Sequence, residues 1–579
     1  METRNSETKN TGGKTDGVRA SGLAVDWNTI DWRSIDKTIR RLQARIVKAQ
    51  REGKRNKVRS LQRILTRSFS GKAIAVKRVT ENNGKKTAGV DGVLWDSPVK
   101  KANAVRDLCP ERYRAKPLRR VYIPKASGKM RPLGIPTMGD RAMQALYLLA
   151  LDPVAECKAD KVSYGFRRKR STTDAIEQMF SALSRGDAAQ WILEGDIKGC
   201  FDNISHEWML NFIPMEKRIL RQWLKAGYME NGSLFDSKAG TPQGGIISPV
   251  LANMALDGLE ELLNRRYKIR RMYKGEMTWF PPVKAKNKRV NLIRYADDFL
   301  ITGESKELLE SEVKPMIKDF LAKRGLILSE EKTRITHIEE GFDFLGFNMR
   351  KFNGKPTVQP SKQGVKNLLA KVRETIRKYR TAPAYKLIST LNPILRGWAN
   401  YYRHAASKRT FSAIDHHVWC AIWRWAKRRH GNKSKGWIKA KYFTQKGKRN
   451  WIFFGNSPEG KCLTLLNVAS IRIKHYTKVR NDANPYDPVW QAYFDERDKK
   501  VVRGSIMHSK EVRLLWQRQN GRCPACGQRL GSNSEWKIFQ RDWNTHHIQS
   551  RVQGGTDVED NLTLLHANCH RQHHACNGI

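Results

Sequence analysis

Leu292-Ile-Arg-Tyr-Ala-Asp-Asp-Phe-Leu-Ile301 sets two adjacent carboxylates, Asp297 and Asp298, inside an apolar stretch. Burying such a pair is costly unless something cationic meets it. A strand–turn–strand would carry both aspartates at its tip, beside a divalent ion. An Asp-Asp pair alone is weak evidence, since hairpin tips are often acidic. A second stretch strengthens it: Trp191-Ile-Leu-Glu-Gly-Asp196 is an apolar strand that ends at an aspartate, and Phe201 follows in Ile197-Lys-Gly-Cys-Phe201-Asp202. Three carboxylates on neighbouring strands can hold two Mg²⁺ about 3.5–4 Å apart, activating a 3′-hydroxyl and stabilising a leaving pyrophosphate. A third stretch, Gly240-Thr-Pro-Gln243-Gly-Gly-Ile-Ile-Ser-Pro249, supplies a loop where backbone can approach a nucleotide.

Charge points the same way. The chain has 579 residues and a net charge of +53, from 109 Lys and Arg against 56 Asp and Glu. An excess of that size covers much of the surface and calls for a polyanion. With 39% hydrophobic residues and 17 Trp there is material for real cores, so a disordered basic tail is excluded. The longest apolar run, near Ala145–Leu151, is far short of the roughly 18 residues a membrane-spanning helix needs. No apolar stretch near Met1 reads as a secretory signal. Nine cysteines in this length do not make a disulfide scaffold, and four of them (Cys523, Cys526, Cys569, Cys576) fall at the C-terminal end.

Along the chain, residues 1–24 are polar and read as a disordered leader. Residues 25–80 read as a basic helical extension: thirteen Lys or Arg and one acid lie between Lys37 and Lys72. Leu42, Ile46 and Ala49, then Val58, Leu61 and Leu65, recur at helical spacing, which predicts two amphipathic helices broken near Gly53. Residues 81–355 read as an α+β body. Between 356 and 450 three helical stripes, Val365–Tyr379, Leu387–Trp398 and Ile414–Trp425, predict a small bundle. It is strongly basic, with 23 basic and 2 acidic residues from Ser361 to Asn450. A solvated charged face would mix both signs, so phosphate contact is expected at Arg40, Arg41, Arg45 and Lys48, and at Arg424, Lys427, Arg428 and Arg429. A basic, aromatic region from 451 to 515 is expected to bind DNA, and 516–579 is rich in Cys and His.

The order of the carboxylate segments resembles the palm of reverse transcriptases, specifically those encoded by group II introns. Lys85-Lys-Thr-Ala-Gly-Val-Asp-Gly92, Arg119-Arg-Val-Tyr-Ile-Pro-Lys125 through Arg131-Pro-Leu-Gly-Ile-Pro136, and Ser163-Tyr-Gly-Phe-Arg-Arg168 resemble that family's blocks before and within the fingers. Glu331-Lys332-Thr and Gly341-Phe-Asp-Phe-Leu-Gly-Phe347 resemble later blocks, and Leu395-Arg-Gly-Trp-Ala-Asn-Tyr-Tyr402 resembles the maturase thumb signature. The resemblance implies a multidomain α+β fold with right-hand fingers and palm and an α-helical thumb or maturase bundle. It also implies roles. Asp196, Asp297 and Asp298 are metal ligands, with the carbonyl of Ile197 helping to hold the second Mg²⁺. Lys125 and Arg131 clamp the incoming dNTP, Gln243 supports it, and Phe201 excludes a 2′-hydroxyl. Phe201 reads otherwise as a core aromatic, and Lys125 and Arg131 as RNA-backbone contacts. Asp202 makes a spacing also found in RNA-templated RNA polymerases. A bulky Phe201 argues against that chemistry, leaving Asp202 to cap the next helix.

At the C-terminus, Cys523-Pro-Ala-Cys526 and His566-Ala-Asn-Cys569 have the spacing of two zinc-ligand pairs. Cys576 could replace His566. Thr545-His546-His547, Asn561, His570 and His573-His574 follow the order of the HNH (ββα-metal) nucleases. That resemblance implies a small zinc-stapled domain in which His547 is the general base. His546, His570 and His574 hold one divalent ion, Asn561 fixes the loop, and His573 is an alternative ligand. The whole implies a protein that binds its own intron RNA, assists splicing, nicks target double-stranded DNA and copies RNA from the nick. The expected setting is cytoplasmic, bacterial or similar, nucleoid-associated when acting on DNA, and without a membrane. The competing reading is a splicing maturase with an inactive polymerase, or a C-terminal module that only binds DNA. Intact Asp196, Asp297, Asp298 and a full histidine set argue against it.

Overall fold

The structure, a computed structural model, describes residues 26–124, 128, 130–237, 239–241, 244–273, 276–283, 287–505, 509–530 and 543–576. The leader expected at 1–24 and two expected dNTP contacts, Lys125 and Gln243, lie outside them.

At the centre is a four-stranded antiparallel sheet in the order Arg334–His337, Trp191–Gly195, Asp298–Gly303, Asn291–Tyr295. The last two strands form a hairpin in which Tyr295 pairs with Asp298, so Ala296 and Asp297 make the turn. Period-2 alternation buries both faces. Leu193, Leu292, Phe299 and Ile301 enter one core, while Ile192, Ile293, Tyr295 and Leu300 enter the other. The first core continues into the helix Met138–Lys158, the second into the C-terminal bundle. Ser163-Tyr-Gly-Phe runs along the outer strand, where Tyr164 N donates to the Arg294 carbonyl at 2.9 Å and Arg294 N to the Val162 carbonyl at 3.0 Å.

The expected N-terminal break is present. Helices Trp32–Arg51 and Arg55–Arg67 are separated at Gly53, whose φ of +69° needs a residue without a Cβ. Asp31 caps the first by accepting from Arg33 N and Ser34 N. Their apolar stripes, with Ile46 and Leu65 wholly buried, lie on Ala150 and Val154 of the long central helix. A third helix, Phe69–Glu81, completes the group.

A second sheet has the order Met130–Ile135, Leu118–Pro124, Tyr228–Glu230, Ser233–Phe235. The bundle holds the three expected helices, Lys362–Lys378, Ala384–Tyr402 and Lys408–Arg429, plus Lys435–Tyr442. Two elements cross expected boundaries. A three-stranded sheet, Phe443–Lys446, Arg449–Asn456 and Cys462–Thr464, straddles the division expected at 450 and packs on the bundle. The helix Lys510–Arg518 crosses the one at 516, where Arg518 donates to the Leu562 carbonyl at 2.6 Å. The last unit is a ββα: Trp543–His547 paired with Leu562–His566, then Ala567–Cys576. No helix among the described residues is long and apolar enough to cross a membrane.

Gly195 ends its strand against Phe299, and a Cβ there would lie 2.2 Å from the ring. Gly195→Ala should therefore overpack the sheet and cost about 1–3 kcal/mol. Chemical denaturation measures this, and an unchanged midpoint would mean the ring moves aside freely.

Candidate polymerase and nuclease sites

The pairing of Gly195 with Phe299 sets Asp196 beside the hairpin that carries Asp297 and Asp298. Desolvation raises the Asp297 carboxyl, and the charge of Asp196 adds to it, opposed by Arg131 and Lys332. Asp298 keeps an accessible edge. Enclosure by surrounding atoms, then the charges of Asp297 and Asp196, push it up to about 6. The three carboxylates thus repel one another, which is the electrostatic state of a site that takes up cations. A cation of the chain already answers part of it: Lys332 Nζ lies 2.7 Å from Asp196 Oδ2. That contact was not anticipated, although Lys332 belongs to a quoted block.

Phe201 is half-buried on the short helix Cys200–Asn203, edge-on to Phe166 with ring centroids 6.0 Å apart. Thr241 N donates to the Phe201 carbonyl at 2.6 Å, so the Gly240 loop is fastened to the Phe201 helix. Ile197 forms an isolated bridge to Leu328. Asp202 lies within the short helix rather than capping the next, His206–Phe212. Ser205 is the cap there, because its side chain is in place to accept from Trp208 N at 3.2 Å.

Beneath the turn lies a group that sequence reasoning missed. Arg294 is wholly buried. Its guanidinium donates to Asp257 Oδ1 at 2.5 Å, to Asn253 Oδ1 at 3.2 Å and to the Ala296 carbonyl at 3.4 Å, with Asp160 Oδ2 at 3.7 Å. Burial raises the Asp257 carboxyl and Arg294 opposes it. Asn253 in turn donates to the Gly165 carbonyl at 2.7 Å, and a Cβ on Gly165 would lie 2.4 Å from Ala296 N. Ala296 itself has a φ of +58°, a left-handed conformation that a non-glycine residue adopts only when its surroundings impose it. Arg294, Asn253 and Gly165 are those surroundings. An arginine within an apolar strand was the signal available.

The C-terminal unit carries two ligand clusters. Cys523, Cys526, His566 and Cys569 are buried, with ligand atoms all within 4.8 Å of one another. His566 Nε2 donates to the Arg529 carbonyl at 3.0 Å, leaving Nδ1 turned to Cys526 Sγ at 3.3 Å. A carbonyl behind the ring is the support that orients a metal-binding imidazole. His566 thus joins the cluster; the side chain of its alternative, Cys576, lies outside the described residues. His546, His570 and His574 form the second cluster. Desolvation and the neighbouring imidazoles hold His546 down at about 4. Helical phase brings His574, rather than the alternative His573, into the set, one turn after His570.

His547 points elsewhere, with Nε2 2.7 Å from Asp557 Oδ1. Asn561 ties the intervening loop: its side chain accepts from Gln549 N at 2.8 Å and donates to the Thr556 carbonyl at 2.9 Å. Of the expected phosphate contacts, Arg41, Arg45 and Lys48 project outward along the first helix, while Arg40 pairs with Asp36 at 2.6 Å. Arg424, Lys427, Arg428 and Arg429 are exposed, Arg429 donating to the Ala382 carbonyl at 2.6 Å.

A carboxylate-tipped hairpin in a doubly buried sheet, followed by a helical bundle and a histidine-bearing ββα unit, describes a polymerase joined to a nuclease. Family profiles agree segment by segment. Those described as the N-terminal domain of reverse transcriptase, reverse transcriptase (RNA-dependent DNA polymerase), the group II intron maturase-specific domain and HNH endonuclease match residues 27–108, 123–349, 365–443 and 523–575. Among curated proteins, Protein YkfC of Escherichia coli K12 is 32% identical over 305 residues, covering 48% of this chain and 79% of its own length. Group II intron-encoded protein LtrA of Lactococcus lactis subsp. cremoris is 31% identical over 414 residues, 58% of this chain and 69% of its own. The solved structure of telomerase from Candida albicans overlaps 57% of this chain and 65% of its own at 11% identity and a TM-score of 0.31. The chain belongs to the group II intron-encoded proteins and combines reverse transcriptase, maturase and HNH endonuclease domains.

Arg294→Met would leave Asp160 and Asp257 as uncompensated buried charges, at a cost of about 3–5 kcal/mol. Primer extension should fall by more than the unfolded fraction explains, because the turn loses its anchor. Arg294→Lys should recover stability more than activity, since it restores charge without the fork. Denaturation and primer extension on the same preparations check this; full activity in folded Arg294→Met would release Arg294 from any role at the turn.

Proposed function

We propose that this chain binds its own intron RNA, nicks one strand of a double-stranded DNA target and copies the RNA into DNA from the exposed 3′ end. The observation that carries the reading is the presence, on one chain, of the carboxylate-tipped hairpin and a complete histidine set in separate places. In the polymerase, Asp196, Asp297 and Asp298, with the Ile197 carbonyl, are the residues that would hold two Mg²⁺, and their mutual repulsion fits them for it. Those ions, when bound, favour the ionised 3′-hydroxyl and neutralise the leaving pyrophosphate. Arg131 and Lys125 take the triphosphate, Arg as a fork and Lys as a point charge. Gln243 supports the nucleotide, and Phe201 closes the space a 2′-hydroxyl needs; its tether to Thr241 supports that placement.

In the nuclease, His546, His570 and His574 would hold one divalent ion, which supplies positive charge to the scissile phosphate and leaving oxygen. His547 removes the proton from the attacking water. With its Nε2–H given to Asp557, Nδ1 is the basic nitrogen. Asn561 holds the loop on which this geometry depends. Cys523, Cys526, His566 and Cys569 fit a structural Zn²⁺: four soft or borderline donors, buried and converging. Residues 81–355 form fingers and palm, 356–450 thumb and maturase region, 451–515 a DNA-binding region and 516–579 the nuclease, with the sheet Phe443–Thr464 carrying the thumb past 450 and the helix Lys510–Arg518 joining the nuclease ahead of 516. The basic faces of the first helix and the bundle bind the intron RNA. The setting is the bacterial cytoplasm or one like it, with association to the nucleoid during action on DNA.

Crossed variants test this. Asp297→Ala with Asp298→Ala should abolish cDNA synthesis yet spare splicing and nicking. His547→Ala should abolish second-strand nicking yet spare splicing and extension of an annealed primer. Normal synthesis in the first or normal nicking in the second would defeat the corresponding assignment. RNA affinity should also fall steeply with salt, since each neutralised phosphate releases counterions.

A further inference from the structure

The nuclease does not hang free at the end of the chain. Two points 491 residues apart in sequence meet where an Arg33 guanidinium nitrogen donates to the Pro524 carbonyl at 3.0 Å. Trp27 Nε1 donates to Asn568 Oδ1 at 3.2 Å, and Gln572 Nε2 to the Trp27 carbonyl at 3.0 Å. Gln528 Nε2 donates to the Trp32 carbonyl at 3.3 Å. Pro524 lies between Cys523 and Cys526, and Asn568 precedes Cys569, so both halves of the four-ligand cluster rest on the N-terminal segment. Trp27 and Trp32 are each 2% exposed and pack edge-to-face, ring centroids 5.0 Å apart, in one core with Trp516, Leu564 and Leu565 of the C-terminal unit.

A second grip lies close by. Arg529 pairs with Asp495, and with Asp498 at 2.9 Å, both on the helix Gln491–Arg503. Asp498 also holds Lys169, beside the Ser163–Arg168 block, at 2.9 Å. The cysteine loop is thus tied through the first helix to the N-terminal helical group and through Asp498 to the palm.

We propose that Trp27 and Arg33 are positioning residues for the nuclease, and that the docking they make holds the nuclease at one setting against the palm, so that the 3′ end left by the nick is delivered to the polymerase site. The inference rests on the two-activity reading above. Its physical basis is twofold. A ββα unit of this size has a small core, and here that core is continued by two tryptophans from the N-terminal segment, which also pack on the helices that follow them. A docked module has also lost its orientational freedom before DNA arrives, whereas a tethered one must find the geometry at each encounter.

The test uses the full-length chain with its intron RNA and target DNA, in Trp27→Ala, Trp27→Phe and Arg33→Ala forms. Arg33 lies at the surface, so its truncation does not threaten the core. Three quantities are read: nicking rate, the fraction of nicks extended into cDNA, and release of a C-terminal fragment by limited proteolysis. Trp27→Ala should release the fragment faster and reduce the extended fraction by about tenfold or more, the order expected when reacting groups are misplaced. Arg33→Ala should do the same to a smaller degree. Extension of a pre-annealed primer should stay unchanged in all three, and Trp27→Phe should restore most of the extended fraction. A role confined to folding the nuclease would lower nicking but leave the extended fraction of the surviving nicks unaltered, and that result overturns the proposal. So does wild-type behaviour in both Trp27→Ala and Arg33→Ala. A wild-type chain that never nicks would instead defeat the two-activity reading; wild-type protease resistance in Trp27→Ala and Arg33→Ala would then overturn the docking, and faster release would uphold it.

Discussion

Three carboxylates that repel one another, held at the ends of strands whose two faces are both buried, are the constraint around which the polymerase half is organised. Their side chains reach solvent at one edge, but the backbone that carries them is fixed by the two cores on either side of the sheet. Their repulsion is met locally: Lys332 reaches Asp196, and Arg294 anchors the backbone of the turn from below. Arg294 can remain buried only because Asp257 and Asp160 balance it, which brings two more acids into the interior. The left-handed Ala296, the close approach of Gly165 and the Asn253 bridge follow from the need to present Asp297 and Asp298 in one fixed direction.

What the sequence discloses is whatever has a local period or spacing. The hairpin bearing Asp297 and Asp298, the break at Gly53, the stripes of the bundle and the Cys/His order could all be read because each is written in neighbouring residues. Asn561 was expected as a loop anchor only through the resemblance to the HNH nucleases. Arg294 was not legible. Its partners come from positions 160, 253 and 257, and only the oddity of a charge inside an apolar strand hinted at it. Lys332 was visible as part of a block but not as the counter-ion of Asp196, since that contact joins segments distant in sequence. Two elements that cross expected boundaries were not legible either. The sheet straddling residue 450 and the helix crossing 516 are packed by tertiary contacts, to which composition is blind.

The two active sites follow opposite electrostatic designs. The palm gathers negative charge and meets it with Lys332 and Arg131, whereas the nuclease gathers three histidines where desolvation and the neighbouring imidazoles keep His546 deprotonated. In the proposed reading the first would take hard cations and the second a single ion beside a base. Cys523, Cys526, His566 and Cys569 add a third, softer donor set, buried and converging, to which that reading gives a structural role.

In the proposed polymerase site the carboxylate cluster is filled by cations, and Lys332 stands in until they arrive. Anomalous diffraction from crystals of the full chain soaked in Mn²⁺ with an annealed primer–template and an incoming dNTP would locate them. Manganese density is expected among Asp196, Asp297 and Asp298, with the Lys332 ammonium displaced from Asp196 and zinc density confined to the cysteine cluster. Lys332 still seated on Asp196, with no manganese at the hairpin, would contradict it.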